Sequence, residues 1–136
     1  MKPLLLQITL IFAAALPLAA SAQESNLSQK FDACMHKADS DRTEIDKCVS
    51  AELKRQDVRL NEAYKTIIKM DNNPENKKEL QAVQRTWIRF RDLNCELYPI
   101  TYAGNLDLSI VGSTECKMNV TADRVKALEY LVNHAN

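Results

Sequence analysis

The sequence predicts an all-α protein: a small antiparallel bundle of about four helices stapled by two disulfides. Three observations predict it. Beyond the N-terminal leader, glycine occurs only at 104 and 112 and proline only at 74 and 99, so long stretches contain no helix breaker. Apolar residues recur at intervals of three and four, and no segment alternates with the period of a strand. Four cysteines follow a leader that marks the chain for export, and the outside of the cytoplasm is where disulfides persist.

The leader is Met1-Lys2 followed by an apolar run from Leu4 to Ala20, with Pro17 near its end and the small triplet Ala20-Ser21-Ala22 after it. One positive charge, a short apolar core and a small-x-small site are the parts of a secretory signal peptide, so residues 1–22 are expected to be removed before Gln23. No cysteine follows the cut, which argues against a lipid anchor, and no later segment is apolar for long enough to span a bilayer. The remaining residues, 23–136, read as one domain placed in the periplasm or secreted. The whole chain has 18 basic and 18 acidic side chains, and loss of Lys2 leaves 17 against 18. Such a balance lacks the basic excess of a nucleic-acid binder and the basic face of a membrane-surface helix.

Cys34, Cys48, Cys95 and Cys116 all lie in the exported part. No CxxC pair is present, and an oxidising compartment disfavours free thiolates, so neither a zinc site nor a thiol redox centre is expected; no metal and no cofactor is implied.

The first helix is expected over about 28–37, with Leu27, Phe31, Cys34 and Ala38 on one face. Asp39-Ser40-Asp41-Arg42 reads as a turn. Thr43, with Asp46 three residues on, resembles an N-cap opening a long helix to about Met70 whose seam is Ile45, Val49, Leu53, Leu60, Ala63, Ile67 and Met70. Asn73 as N-cap and Pro74 in the first turn start a third helix that runs to about Glu96, with Leu80, Val83, Trp87, Ile88 and Cys95 as its buried stripe. Residues 98–113 hold both glycines and read as a loop, long enough to be a candidate for function. A last helix follows over about 116–132, with Val120, Val125, Leu128 and Leu131 inward.

If consecutive helices are antiparallel neighbours, residues equally far from a turn lie at equal height. The turn near residue 41 then sets Cys34 opposite Cys48, which leaves Cys95 for Cys116; the second turn brings Cys48 near the level of Cys95, so that pairing stays open. The pairing Cys34–Cys48 and Cys95–Cys116 closes loops of roughly 15 to 20 residues, each worth about 3 kcal/mol by loop entropy.

Several polar residues share strips with apolar ones. In the second helix these are Asp57, Asn61 and Tyr64, beside Leu53 and Leu60; in the third they are Gln84 and Arg91, beside Trp87 and Ile88. The antiparallel construction puts Arg85 and Arg91 each within roughly one helical turn of Asp57, so an interhelical ion pair is expected. The set reads either as an active site, with Asp57 or Glu52 as acid or base beside Arg91, or as a structural layer in which a charge near the core finds its partner. The layer is the reading we adopt. Trp87 and Arg91, four residues apart, are placed to stack. His36 and His134 form no catalytic arrangement, and no phosphate loop, nucleophile elbow or HExxH segment appears.

Taken together, Asp57-Leu60-Asn61-Tyr64 as DxxLNxxY, Gln84-Arg85-Trp87-Arg91-Asp92-Cys95 as QRxWxxxRDxxC, and Cys116-Thr121-Arg124 as CxxxxTxxR resemble the LprI-like lysozyme inhibitor family of small exported bacterial domains. The middle motif is the most specific, and with Cys34 and Cys48 the resemblance spans nearly all of 23–136. It implies an all-helical fold and inhibition of a lysozyme. The expected partner is accordingly a lysozyme or another peptidoglycan-cleaving enzyme, whose cleft is blocked sterically, and no catalysis is expected. The expected contact surface is the cysteine-rich end, where Tyr98, Ile100, Tyr102 and Leu106 offer anchors and Asp107 a charge, beside Asp39, Asp41, Glu44 and Asp46 of the first turn. Two other readings are an immunity protein against a secreted envelope toxin and a small envelope enzyme using Asp57, Glu52 and Arg91.

Overall fold

A computed structural model describes residues 26–97 and 106–135, the backbone alone for 106–111. The leader and Tyr98, Ile100 and Tyr102 lie outside the described residues. The described chain is four α-helices in the order α1 (Gln29–Ala38), α2 (Arg42–Met70), α3 (Pro74–Cys95) and α4 (Leu106–His134), with no strand among the described residues.

The starts of α1, α2 and α3 are each capped by a side chain accepting from backbone N–H groups that have no partner within the helix. Ser28 caps α1 by accepting from the Phe31 N–H at 3.2 Å. Asn73 caps α3 by accepting from Glu75 N–H at 2.9 Å, with Pro74 in the first turn as expected. At α2 the cap is Asp41 and not Thr43: its Oδ1 accepts from Thr43 and Glu44 at 2.9 and 3.2 Å, and the helix opens earlier, at Arg42. An ionised carboxylate satisfies two orphan donors and also faces the positive end of the helix dipole, which a threonine hydroxyl does only weakly. Asp39 closes α1 with φ 50° and ψ −109°, outside the left-handed helical region, and its N–H donates to the Met35 carbonyl at 3.2 Å.

The last helix begins two to three turns earlier than expected. Residues 106–113, read above as part of a loop, are helical, so Leu106 and Asp107 sit in the first turn of α4. One glycine inside a helix costs only about 1 kcal/mol relative to alanine, and Leu106-Asp107-Leu108-Ser109-Ile110-Val111 holds no other breaker.

The packing centres on α4, which lies along α2 and also takes α3 on its side; α1 folds back on α2. The expectation that α2 and α3 pack as direct neighbours is not met, because α4 is the helix they share. The core is Leu60 and Ala63 of α2 against Val125 and Leu128 of α4, with Tyr64, Ile67 and Trp87 packed on it. Above it, Val49, Met118 and Ala122 are buried together with Cys48, Cys95 and Cys116. Cys34 is bridged to Cys48 and Cys95 to Cys116, with Cα atoms 5.7 and 5.5 Å apart. The first bridge ties α1 to α2, and the second ties the end of α3 to α4.

Burial departs from the expected stripes in both long central helices. The α2 seam is Val49, Glu52, Gln56, Leu60 and Ala63, whereas Met70 is exposed and Leu53 only half-buried. In α3, Val83 and Ile88 are exposed; the inward strip is Leu80, Gln84, Trp87, Arg91 and Cys95. Leu131 of α4 is exposed, and Val120 half-buried. The reason in α3 is that the helix leans mainly on α4 and touches α2 only through side chains such as Trp87 and Arg91, so one narrow stripe is covered and the apolar residues beside it stay in water.

Candidate functional site

Two polar clusters sit along the inner faces. The first is built on Glu52, whose side chain is fully buried. Its Oε1 accepts from the Ser28 N–H at 2.9 Å and from Gln56 Nε2 at 2.6 Å; its Oε2 accepts from the Ser28 hydroxyl and from Arg55 Nε, each at 2.6 Å. The carboxylate thus holds the N-cap residue of α1, and Ser28 both donates to Glu52 and accepts from Phe31. Burial would push this carboxyl upward, but the hydrogen bonds from Ser28, Gln56 and Arg55 outweigh it and hold the group down at about 2.

The network continues outward. Gln56 Nε2 also donates to the Asn26 carbonyl at 3.3 Å, and Gln56 Oε1 accepts from Arg59 at 3.2 Å. Arg59 holds Glu129 of α4 through two bonds, at 2.7 and 3.1 Å, and Asn26 Nδ2 donates to Asp123 at 2.8 Å. A segment ahead of α1 is in this way fastened to both α2 and α4.

The second cluster gathers the motif residues. Arg91, almost buried, donates to Asp57 Oδ1 at 3.2 Å, to Asp92 Oδ1 at 3.0 Å and to the Thr121 hydroxyl at 3.3 Å. One guanidinium therefore ties α2, α3 and α4 at one level, which is how α2 and α3 communicate without packing closely. The two carboxylates differ from Glu52 in being more than two-fifths exposed, while Thr121 is fully buried. Arg124 reaches across from α4 and donates to Gln84 Oε1 from Nε and Nη2, at 3.4 and 3.3 Å. Burial pushes the Arg124 guanidinium below its ordinary value, without any prospect of neutralising it. The guanidinium carbons of Arg91 and Arg124 lie 5.5 and 5.7 Å from the centre of the Trp87 ring, within range of cation–π attraction.

Of the motif residues singled out above, Asp57, Gln84, Trp87, Arg91, Asp92, Thr121 and Arg124 meet in this layer. Tyr64 belongs to the core beside it, and Asn61 and Arg85 point to solvent. Arg91 is the arginine that reaches Asp57; Arg85 is on the outer side of α3. His36 is exposed, and His134 stacks on Tyr130 at the far end of α4.

The Glu52 clasp escaped the sequence reading as a structural element. Its signal was partly present: Glu52 and Gln56 fall between Val49 and Leu60 at the same helical spacing as the apolar seam, which puts them on the seam side of α2. Chemically, both clusters are poor general acids or bases. Glu52 has its oxygens occupied by four donors, and Arg91 is held by two carboxylates and a hydroxyl. Among the described residues no group of three or more histidine, cysteine, aspartate or glutamate side chains is arranged to hold a metal ion, and no helix is long and apolar enough to cross a membrane.

Residues 34–128 match the family described as Lysozyme inhibitor LprI. The match takes in all four cysteines and the whole motif layer. No curated protein matches the chain, and no solved structure does.

Proposed function

The chain belongs to the LprI lysozyme inhibitor family, and from that premise we propose that it is an exported envelope protein that binds a lysozyme, or a related peptidoglycan-cleaving enzyme, and blocks its cleft. The observation that carries this reading is the extent of the match, which runs from the first cysteine past Arg124 and so covers the bridges and the polar layer together.

The physical character of the molecule supports binding over chemistry. Two disulfides and a layer of interhelical hydrogen bonds favour a rigid body, and a rigid surface loses little conformational entropy when it docks. The alternative of a small enzyme using Asp57, Glu52 and Arg91 is poorly supported, since Glu52 and Arg91 are already committed to internal partners. In our reading residues 1–22 direct export and are removed before Gln23, leaving 23–136 to act in the periplasm or outside the cell. The cysteine-rich end carries the contact, with Tyr98, Ile100, Tyr102, Leu106 and Asp107 following on from Leu97.

The test is the clearing of a cell-wall suspension by lysozyme in the presence of the exported protein. Lysis slows at micromolar protein if the reading holds, and an unchanged rate at a large molar excess overturns it. The reduced and alkylated protein serves as a comparison and is expected to inhibit less.

A further inference from the structure

α3 is amphipathic in an inverted sense. Its covered strip is polar at Gln84 and Arg91, while Val83, Phe90, Leu93 and Leu97 on another side are each more than half exposed. With Thr86, the residues Val83, Phe90 and Leu93 fall at spacings of three, four and three along one face of α3, and Leu97 follows in the turn just past its end. Thr86 is exposed and its hydroxyl donates to the Ala82 carbonyl at 2.9 Å, so it adds no free polar group to the row. Single exposed apolar residues need no explanation, but four in a row do.

Within α3 the row is about 15 Å long at helical rise, and each of its large apolar side chains is more than half in water. A specific protein–protein contact removes about 800 Å² from each partner, so the seam is the centre of a larger contact and its area does not choose the occupant. An elongated groove with apolar walls fits its shape, because a helix laid in a groove is read through anchors at such spacings. Charge points the same way. Arg89 borders the seam between Thr86 and Leu93, is exposed, and has no carboxylate partner among the described residues; Asp92, its neighbour one turn on, is engaged by Arg91. Enzymes that cleave glycosidic bonds carry two carboxyl groups in an elongated sugar cleft, at least one of them ionised. Two copies paired antiparallel about Phe90 would instead bring Arg89 close to another Arg89.

We propose that the outer face of α3 is the element that enters the glycan cleft of the target enzyme, with Val83, Phe90, Leu93 and Leu97 on its apolar walls and Arg89 on its carboxylates. This rests on the inhibitor reading above and names the surface that performs it.

The experiment compares the exported wild-type protein with Phe90→Asp, Leu97→Asp and Arg89→Glu, and with Val58→Asp on α2, in lysozyme inhibition and in thermal melting. All four positions are exposed, so melting temperatures are expected to stay within a few degrees. The half-inhibitory concentration rises at least tenfold for Phe90→Asp and Leu97→Asp and is unchanged for Val58→Asp. Arg89→Glu weakens inhibition strongly at low salt and less at high salt, because an exposed charge contact is screened. Wild-type protein that fails to inhibit overturns the function itself. Wild-type protein that inhibits, with Phe90→Asp and Leu97→Asp equally potent, overturns only the assignment of α3. Sedimentation showing a wild-type dimer that Phe90→Asp dissociates, with inhibition intact, gives the seam to a second copy and also overturns it.

Discussion

The Glu52 clasp and the Arg91 layer use the same chemistry, carboxylate against guanidinium and hydroxyl, yet they are opposite in energetic design. Glu52 is wholly dry, and each oxygen accepts two donors; the carboxylates that flank Arg91 stand partly in water, with only the cation and Thr121 tucked inside. A buried charge contributes through the penalty of leaving it or its partners unmatched, whereas a half-exposed one is partly matched by water. The clasp should therefore be brittle to substitution and the layer forgiving on its acidic side.

The largest effect is expected at Glu52. Glu52→Ala leaves the Ser28 N–H, the Ser28 hydroxyl and Gln56 without their acceptor and should cost about 3 to 4 kcal/mol; chemical denaturation of the oxidised protein measures it, and a loss below about 1 kcal/mol would show the clasp to be as open as the layer. Next comes acid. The folded carboxyl lies at about 2, against about 4.3 for an ordinary glutamate, so its stabilisation is complete above the ordinary value and is lost as pH falls toward 2. The loss is on the order of 3 kcal/mol between pH 5 and pH 2, and Glu52→Gln should flatten that part of the stability curve while other carboxylates still titrate.

Smaller effects test the layer. Arg91→Ala removes the donor shared by Asp57, Asp92 and Thr121 and uncovers one face of Trp87, for about 2 kcal/mol. It should also shift the emission of Trp87, which is the chain's single tryptophan and therefore its own reporter. Asp57→Asn is expected to cost no more than about 1 kcal/mol, since a half-exposed ion pair is worth little. A loss at Asp57 equal to that at Glu52 would erase the distinction between the two regions.

Much of this molecule was legible in the order of its residues. The cap Asn73 could be located because a cap bonds within three residues of itself, and Cys34–Cys48 because one short turn joins their helices. The Asp57–Arg91 contact was legible from counting residues away from the turn at 71–73. What could not be read was which side of α3 is covered: Val83 and Ile88 look as apolar as Leu80, and only the position of α4 separates them. Residues 106–113 misled because a glycine and two serines suggest a loop locally, while the helix they extend is stabilised farther along by Cys116, Met118, Val125 and Leu128.

The sequence alone determined the helical class and the cap at Asn73 and favoured the pairing of Cys34 with Cys48, because each depends on groups only a few residues apart or on composition. The tertiary structure decided that Glu52 and Gln56 are interior, that α4 stands between α2 and α3, and that α3 turns an apolar seam to solvent. Burial is a property of what lies opposite a residue, and residues far apart in the chain supply that surface.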